Sequence, residues 1–210
     1  MRQSVFCGVA VAVLALSSTA QAATIRFDTD PFAGSNALAT PGRQVVGNEL
    51  FTTFNIATDV FELESTVFGT GTTLNFFNGV AGNIPASGAN VIVLQTFDDD
   101  NNPATNFAAG NAANLIAAQV TTPGAGFFIY FNQGLDRARL VFSPDLNDNT
   151  VDLKVLARLE NFSGQAGRDA FPTFSAENFR ITTVPEPASL SLLAVGGVLG
   201  VARRYRTRKP

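Results

Sequence analysis

The segment VDLKVLARL, residues 151–159, places apolar and polar side chains at alternating positions and decides the fold class of this chain. A period of two is typical of a β-strand with one buried face, because successive side chains of a strand point to opposite sides of the sheet. The predicted inner face comprises Val151, Leu153, Val155, Ala157 and Leu159, and the predicted outer face comprises Asp152, Lys154, Leu156 and Arg158.

Shorter segments of similar character surround this strand, and turn-forming pairs such as Pro41-Gly42 and Asn78-Gly79 separate them. One Ala-rich segment, residues 111–119, predicts a short helix that covers an end or edge of a sheet. We therefore predict an all-β fold, a single antiparallel β-sandwich of the jelly-roll kind over residues 23–183. The other predicted strands are 25–27, 49–56, 60–64, 73–77, 91–97, 127–132, 137–142 and 174–182.

Composition excludes several classes of chemistry. The chain has 1 Cys, 1 Met, no His and no Trp, and the single cysteine, Cys7, lies in a segment that we expect to be removed. A mature protein without thiol or imidazole groups cannot form disulfides, use a Cys or His nucleophile, or build an ordinary zinc site. Residues 23–184 carry 8 basic and 16 acidic side chains. Such a body repels phosphate, so we expect no nucleic-acid partner.

The N-terminal residues have the organisation of a secretory signal peptide. Arg2 precedes an apolar stretch over residues 5–16, and the sequence Ala20-Gln21-Ala22 supplies small residues where a signal peptidase requires them. The apolar stretch is too short to span a bilayer comfortably. We predict that residues 1–22 are removed by signal peptidase and that the mature protein begins near Ala23.

The C-terminal residues combine a proline motif, an apolar segment and a basic tail. The motif Val184-Pro185-Glu186-Pro187-Ala188-Ser189 leads into residues 188–202, which carry no charge. As a helix this segment would rise about 22 Å, against a hydrocarbon core of about 30 Å, so it predicts a short, weak transmembrane anchor. The tail orients the anchor with its end in the cytoplasm. Its basic residues are Arg203, Arg204, Arg206, Arg208 and Lys209.

Together with the signal peptide, residues 184–210 resemble the PEP-CTERM sorting signal. The resemblance implies a Gram-negative bacterium in which a membrane-bound exosortase recognises Pro185, Glu186 and Pro187 and cuts at or near them. It also implies a chain that is exported through the inner membrane, anchored transiently, and passed to the cell surface or an extracellular polysaccharide matrix. The alternative is an ordinary single-span membrane protein, which needs the same helix and basic tail.

Two acidic stretches could offer oxygen ligands to calcium: Asp98 and Asp100 in the first, and Asp145 and Asn147 in the second. Neither fits an EF-hand loop, because Pro103 and Thr150 stand where that loop needs glycine. Asp and Asn also favour tight turns for local reasons. We expect solvated turns and no cofactor, with calcium as the alternative.

Glu62 and Glu64 lie on one face of a predicted strand, and a glycosidase needs two placed carboxyl groups. The same spacing arises on any polar strand face, and Tyr130 is the one large polar aromatic of residues 23–184. We therefore expect no enzyme. The prediction is an exported, non-catalytic surface or matrix protein associated with exopolysaccharide or biofilm. The alternatives are a lectin-like glycan-binding module, with or without calcium, and a polysaccharide hydrolase.

Overall fold

The computed structural model describes residues 22–102 and 104–183. The predicted signal peptide up to residue 21, the PEP motif, the transmembrane segment and the basic tail lie outside the described residues. Within the described part, none of the helices has the length and apolar character that crossing a bilayer requires.

Strands dominate the described residues, and the helices are short. The helices are α1 (Ser65–Phe68), α2 (Ala109–Ala117) and α3 (Gly164–Asp169), with 3-10 turns at Ala81–Asn83, Phe171–Thr173 and Ala176–Asn178. The strands are β1 (Thr24–Phe27), β2 (Val45–Val46), β3 (Leu50–Thr52), β4 (Val60–Glu64), β5 (Phe76–Gly79), β6 (Val91–Leu94), β7 (Gly126–Asn132), β8 (Arg137–Ser143), β9 (Leu153–Leu159) and β10 (Phe179–Thr182).

The strands form two sheets. The small sheet has the order β1-β4-β10, and the large sheet has the order β2-β9-β8-β7-β6-β5, with β3 also paired to β9. The all-β class is confirmed, whereas the antiparallel arrangement holds only for β7, β8 and β9. All other pairings are parallel. A short turn joins β7 to β8, but β6 reaches β7 through a long crossover that contains α2, and such crossovers produce parallel neighbours.

Each face of the large sheet is buried against a different layer. The first core lies between the two sheets, where Phe76 of β5 meets Phe179 of β10 with ring centroids 5.6 Å apart. The second core lies between the large sheet and α2. The first core includes Phe61, Leu63, Phe127, Ile129, Phe131, Leu140 and Phe142. The second includes Ile92, Leu94, Ala112, Ala113, Ile116, Phe128 and Tyr130.

The predicted alternation of residues 151–159 is wrong after the first few positions. A register shift between Leu140 and Val141 of β8 makes Leu156 an extra residue on β9. A bulge of this kind moves every later side chain to the opposite face. Leu153 and Val155 accordingly lie in the second core, whereas Leu156, Ala157 and Leu159 lie in the first.

The predicted helix is present, but it covers a different part of the sheet from the one predicted, and two further helices occur among the described residues. Helix α2 nearly coincides with the predicted segment, yet it covers a face of the large sheet through Ala112, Ala113 and Ile116 instead of an end or edge. The single predicted helix is joined by α1 and α3. Both are only about one turn to one and a half turns long, and periodicity cannot reveal a helix that short.

Several predicted strands are longer than the observed ones. The predicted strand 49–56 contains β3, the predicted strand 91–97 contains β6, and the predicted strand 174–182 contains β10 preceded by one 3-10 turn. Before β10, the Oγ of Ser175 accepts a hydrogen bond from the backbone N–H of Glu177 at 3.3 Å. A serine that bonds its own backbone in this way favours a turn over a strand.

Candidate functional site

The last described strand, β10, lies at an edge of the small sheet. Strand β10 runs parallel to β4 and pairs Thr182 with Glu64 at its end. The next residue, Thr183, is exposed. The predicted PEP motif begins two residues later, outside the described residues.

The start of the small sheet lies at the predicted signal-peptidase bond. Ala22 and Ala23 are exposed, and β1 begins at the next residue, Thr24. Both backbone polar groups of Ala23 form hydrogen bonds. Its carbonyl oxygen accepts a hydrogen bond from the N–H of Val60 at 2.9 Å, and its own N–H donates to Oδ1 of Asp59 at 2.9 Å. The other small residue of the predicted cleavage site, Ala20, lies outside the described residues.

Asp59 is a buried carboxylate held by neutral donors. Its Oδ2 accepts a hydrogen bond from the N–H of Asn55 at 2.8 Å, and its Oδ1 accepts from the hydroxyl of Thr58 at 3.0 Å and from Ala23. Only 7% of the residue is exposed. Burial tends to raise the pKa of Asp59, but the donors from Asn55, Ala23 and Thr58 outweigh it, so the pKa lies below its ordinary value.

Asp59 also lies at the junction of the small sheet and a surface cleft. Its backbone carbonyl accepts a hydrogen bond from Nδ2 of Asn178, the residue before β10, at 3.2 Å. The cleft has a volume of about 460 Å³ and is open to solvent. At Gly167 of α3, an added Cβ would lie 2.5 Å from the carbonyl carbon of Phe162, so only glycine permits this helix to lie so close. The lining residues are Thr53, Phe54, Asn55, Ile56, Asp59, Asn161, Phe162, Ala166, Gly167 and Ala170.

A second buried carboxylate, Glu49, joins three strands of the large sheet. Arg139 of β8 and Arg158 of β9 are directly opposite each other in register, an arrangement that destabilises a sheet when nothing neutralises it. Glu49 precedes β3 and provides that neutralisation. Its Oε2 accepts from Nε of Arg139 at 2.7 Å, and its Oε1 accepts from Nη2 of Arg158 at 2.5 Å. Only 6% of the Glu49 side chain is exposed.

Two aromatic side chains complete this cluster. Burial raises the pKa of the Tyr130 hydroxyl, whose oxygen accepts a hydrogen bond from Nδ2 of Asn132 at 2.9 Å. The ring of Phe51 covers Arg158, with 4.5 Å between Cζ and the ring centroid. Both Glu49 oxygens are occupied by guanidinium groups, so the arrangement suits a structural clamp. Sequence reasoning missed it, because the pairing of two arginines appears only once the bulged register is known.

The first calcium candidate is a tight acidic loop. Ligand oxygens of Asp98, Asp99 and Asp100 lie within 4.8 Å of one another. The loop satisfies much of their hydrogen-bonding capacity itself: Oδ1 of Asp98 accepts from the N–H of Asp100 at 3.1 Å, and Oδ2 of Asp100 accepts from the hydroxyl of Thr105 at 2.6 Å. The Thr105 and Asn102 donors lower the pKa of Asp100. Oδ2 of Asp99 accepts from Nδ2 of Asn111 on α2 at 2.7 Å.

The second calcium candidate is also a turn. Oδ1 of Asp145 accepts from the N–H of Asn147 at 2.9 Å and from the N–H of Gly124 at 3.0 Å, which ties the turn to the segment before β7. These contacts are those of Asp in a tight turn. Calcium binding by either stretch is the alternative to solvated turns without a cofactor, and both interpretations stay untested.

Glu62 and Glu64, the proposed glycosidase pair, have different surroundings. Glu62 lies on the outer face of the small sheet, between Arg26 at 3.3 Å and Arg180 at 3.8 Å. Glu64 is fully buried and caps α1, where its Oε2 accepts from the N–H of Val67 at 2.9 Å and from the hydroxyl of Thr66 at 2.6 Å. One carboxylate is balanced by surface arginines and the other forms a helix cap.

Comparison with known families places a recognised motif directly after β10. Residues 183–209 match the PEP-CTERM protein-sorting motif. Comparison with curated proteins and with solved structures gives no significant match. The matched range begins at the exposed Thr183 and includes the sequence Pro185-Glu186-Pro187. The chain therefore carries a C-terminal PEP-CTERM protein-sorting motif, which marks it as an exported protein that an exosortase processes.

Proposed function

We propose that this chain is a non-catalytic protein of the cell surface or extracellular matrix, released from its membrane anchor by exosortase cleavage at Pro185-Glu186-Pro187. The observation that carries the proposal is the motif match over residues 183–209, which starts one residue after β10 ends. Two prolines in close succession disfavour helix and strand pairing, so they favour an accessible, extended substrate for the processing enzyme.

The position of the motif supports processing without damage to the folded body. Every described strand and both cores precede residue 184. A cut at or near Pro185 would leave all of them on the exported side. The membrane segment 188–202 and the basic tail would be left behind with the inner membrane.

The non-catalytic part of the proposal rests on the surroundings of the candidate groups. The carboxylates of Glu62 and Glu64 are engaged by arginines and by a helix cap, respectively. Residues 23–184 contain no histidine and no cysteine that could replace them as acid, base or nucleophile. Association with exopolysaccharide or biofilm is the finer part of the proposal, and it follows from the destination that the sorting motif implies.

Processing is tested by mass and location. The native chain and a Pro185→Ala, Glu186→Ala, Pro187→Ala variant are expressed in a host with an exosortase, with Thr183→Ala as the matched control. We expect the native chain and the control to be shortened and to leave the inner membrane, while the triple variant stays there at full length. If all three remain uncut in the inner membrane, residues 184–210 act as a plain anchor and the proposal is wrong.

Matrix association is tested on the released form. The processed protein is mixed with exopolysaccharide from the same cells, and co-sedimentation is measured with and without a calcium chelator. Retention on the polysaccharide supports the finer proposal, and loss of retention with chelator would identify a calcium-assisted glycan module. Absence of any saccharide-dependent retention would remove glycan association from the proposal.

A further inference from the structure

The carboxylate of Asp59 is held by neutral donors among the described residues. No Lys or Arg within 22–102 and 104–183 forms an ion pair with it. Its side chain is nevertheless buried, and its pKa lies below the ordinary value. A nearby positive charge favours the ionised form of a carboxylate.

The nearest donor that processing can change is the backbone nitrogen of Ala23. This nitrogen lies 2.9 Å from Oδ1 of Asp59. In the uncleaved chain it is a neutral amide. If signal peptidase cuts after Ala22, the same nitrogen becomes an α-ammonium group, and its hydrogen bond to the Asp59 carboxylate becomes an ion pair between opposite charges.

We propose that Asp59 is the binding site for the new N-terminus of the mature protein, so that removal of the signal peptide creates a partly buried ion pair between the Ala23 α-ammonium and the Asp59 carboxylate. The proposal rests on the predicted cleavage after Ala22, which belongs to the export step of the proposed function.

The surrounding contacts give this ion pair a role in the whole small sheet. The Ala23 carbonyl is bonded to Val60 at the start of β4, and the Asp59 carbonyl is bonded to Asn178 just before β10. Strand β10 is the element that leads to the sorting motif. Cleavage at the N-terminal end therefore tightens the starts of β1, β4 and β10 together. The exported form is more stable than the precursor.

The test compares the reactivity of the α-amine in three forms of the exported full chain, purified in mild detergent. They are the native chain, an Asp59→Asn variant, and a variant with Gly-Ser inserted between Ala22 and Ala23. The insertion moves the new terminus about 7 Å along the chain and leaves Asp59 with its Asn55 and Thr58 donors. N-terminal peptides are identified by mass spectrometry after acylation at pH 7, and Lys154 serves as an internal reference within each molecule.

We expect the Ala23 α-amine of the native chain to acylate about tenfold more slowly than the α-amine of the insertion variant, because an ion pair holds it in the unreactive ammonium form. The Asp59→Asn variant should lose this protection, and the native chain should also unfold at a higher urea concentration than the insertion variant. Should Asp59→Asn fail to fold, the insertion variant alone still decides the comparison.

Two results would overturn the proposal, and they are distinguishable. If the first residue of the native chain is Ala23 but its α-amine reacts as fast as that of the insertion variant, the ion pair does not form, and the export step is unaffected. If the first residue is not Ala23, the cleavage site and the ion pair are both wrong. Exosortase processing is read separately, from the mass of the C-terminal end.

Discussion

Glu49 and Asp59 are both buried carboxylates at the junction of strands, but their charges are balanced in different ways. Glu49 lies between the guanidinium groups of Arg139 and Arg158, one on each oxygen. Asp59 accepts hydrogen bonds from two backbone amides and a hydroxyl, all of them neutral in the full-length chain. The first site needs its carboxylate to separate two cations, whereas the second uses its carboxylate to hold a turn and the first residue before β1.

This difference shows what each carboxylate contributes to the fold. Removal of Glu49 leaves two arginines facing each other across β8 and β9, so the loss includes repulsion as well as lost hydrogen bonds. Removal of the charge from Asp59 leaves donors that an amide side chain can satisfy in part. We therefore expect loss of Glu49 to destabilise the fold more than loss of the charge of Asp59.

The largest expected effect is that of Glu49→Ala. We expect a loss of about 2 to 3 kcal/mol in the free energy of unfolding, at the lower end for a broken buried pair because Arg139 and Arg158 retain some contact with water. Urea unfolding followed by circular dichroism measures it. Glu177→Gln, at an exposed position of the small-sheet side, is the control. A loss no larger than that of the control would show that the arginines are neutralised by solvent instead of by Glu49.

A smaller loss of stability is expected when acid protonates the carboxylate of Asp59. Its folded pKa is depressed, so the ionised carboxylate contributes stability above the unfolded pKa of about 4, and that contribution is lost as the pH falls through the lower folded pKa. The native chain should therefore lose stability steeply below about pH 4. In Asp59→Asn the stability should fall less steeply over the same range, measured as urea midpoints at several pH values. Parallel curves for the two proteins would show that other carboxylates cause the acid sensitivity.

The sequence predicts the positions of the strands better than it predicts which strands pair with each other. The segments 60–64, 127–132 and 137–142 coincide closely with β4, β7 and β8, because side-chain pattern reports local burial. Parallel pairing of β4 with β1 and β10 is not visible locally, since it depends on long crossovers. The bulge at Leu156 is likewise a property of two strands, so the one-strand pattern assigns half of β9 to the wrong face.

The candidate sites differ in the same way: the sequence reveals those that depend on local residue order and misses those that depend on long-range contacts. The PEP-CTERM motif was found from sequence, because a sorting motif is read along an accessible chain by short-range residue order. The clamp at Glu49 and the placement of Ala23 against Asp59 were not found, because their members are 90 to 109 and 36 residues apart in the sequence, respectively. The signal available for the clamp was the presence of Arg139 and Arg158 within predicted strands. Their partner, Glu49, could not be named before the register of β8 and β9 was known.

The smallest expected effect comes from replacing Phe51, and it tests what holds Arg158 beside Glu49. The ring of Phe51 lies over Arg158 although 60% of Phe51 is exposed. A cation–π contact at such an exposed site contributes about 0.5 to 1 kcal/mol. Phe51→Ala should lose that amount in urea unfolding, and Phe51→Tyr should lose almost nothing, since it keeps an aromatic ring over the guanidinium. Phe51→Leu keeps an apolar side chain but removes the aromatic ring, so it distinguishes the cation–π contact from apolar burial. It should behave like Phe51→Ala if the π-face holds Arg158. If Phe51→Leu is instead as stable as the native chain, the aromatic ring adds nothing and the carboxylates of Glu49 and Glu160 position Arg158 without it.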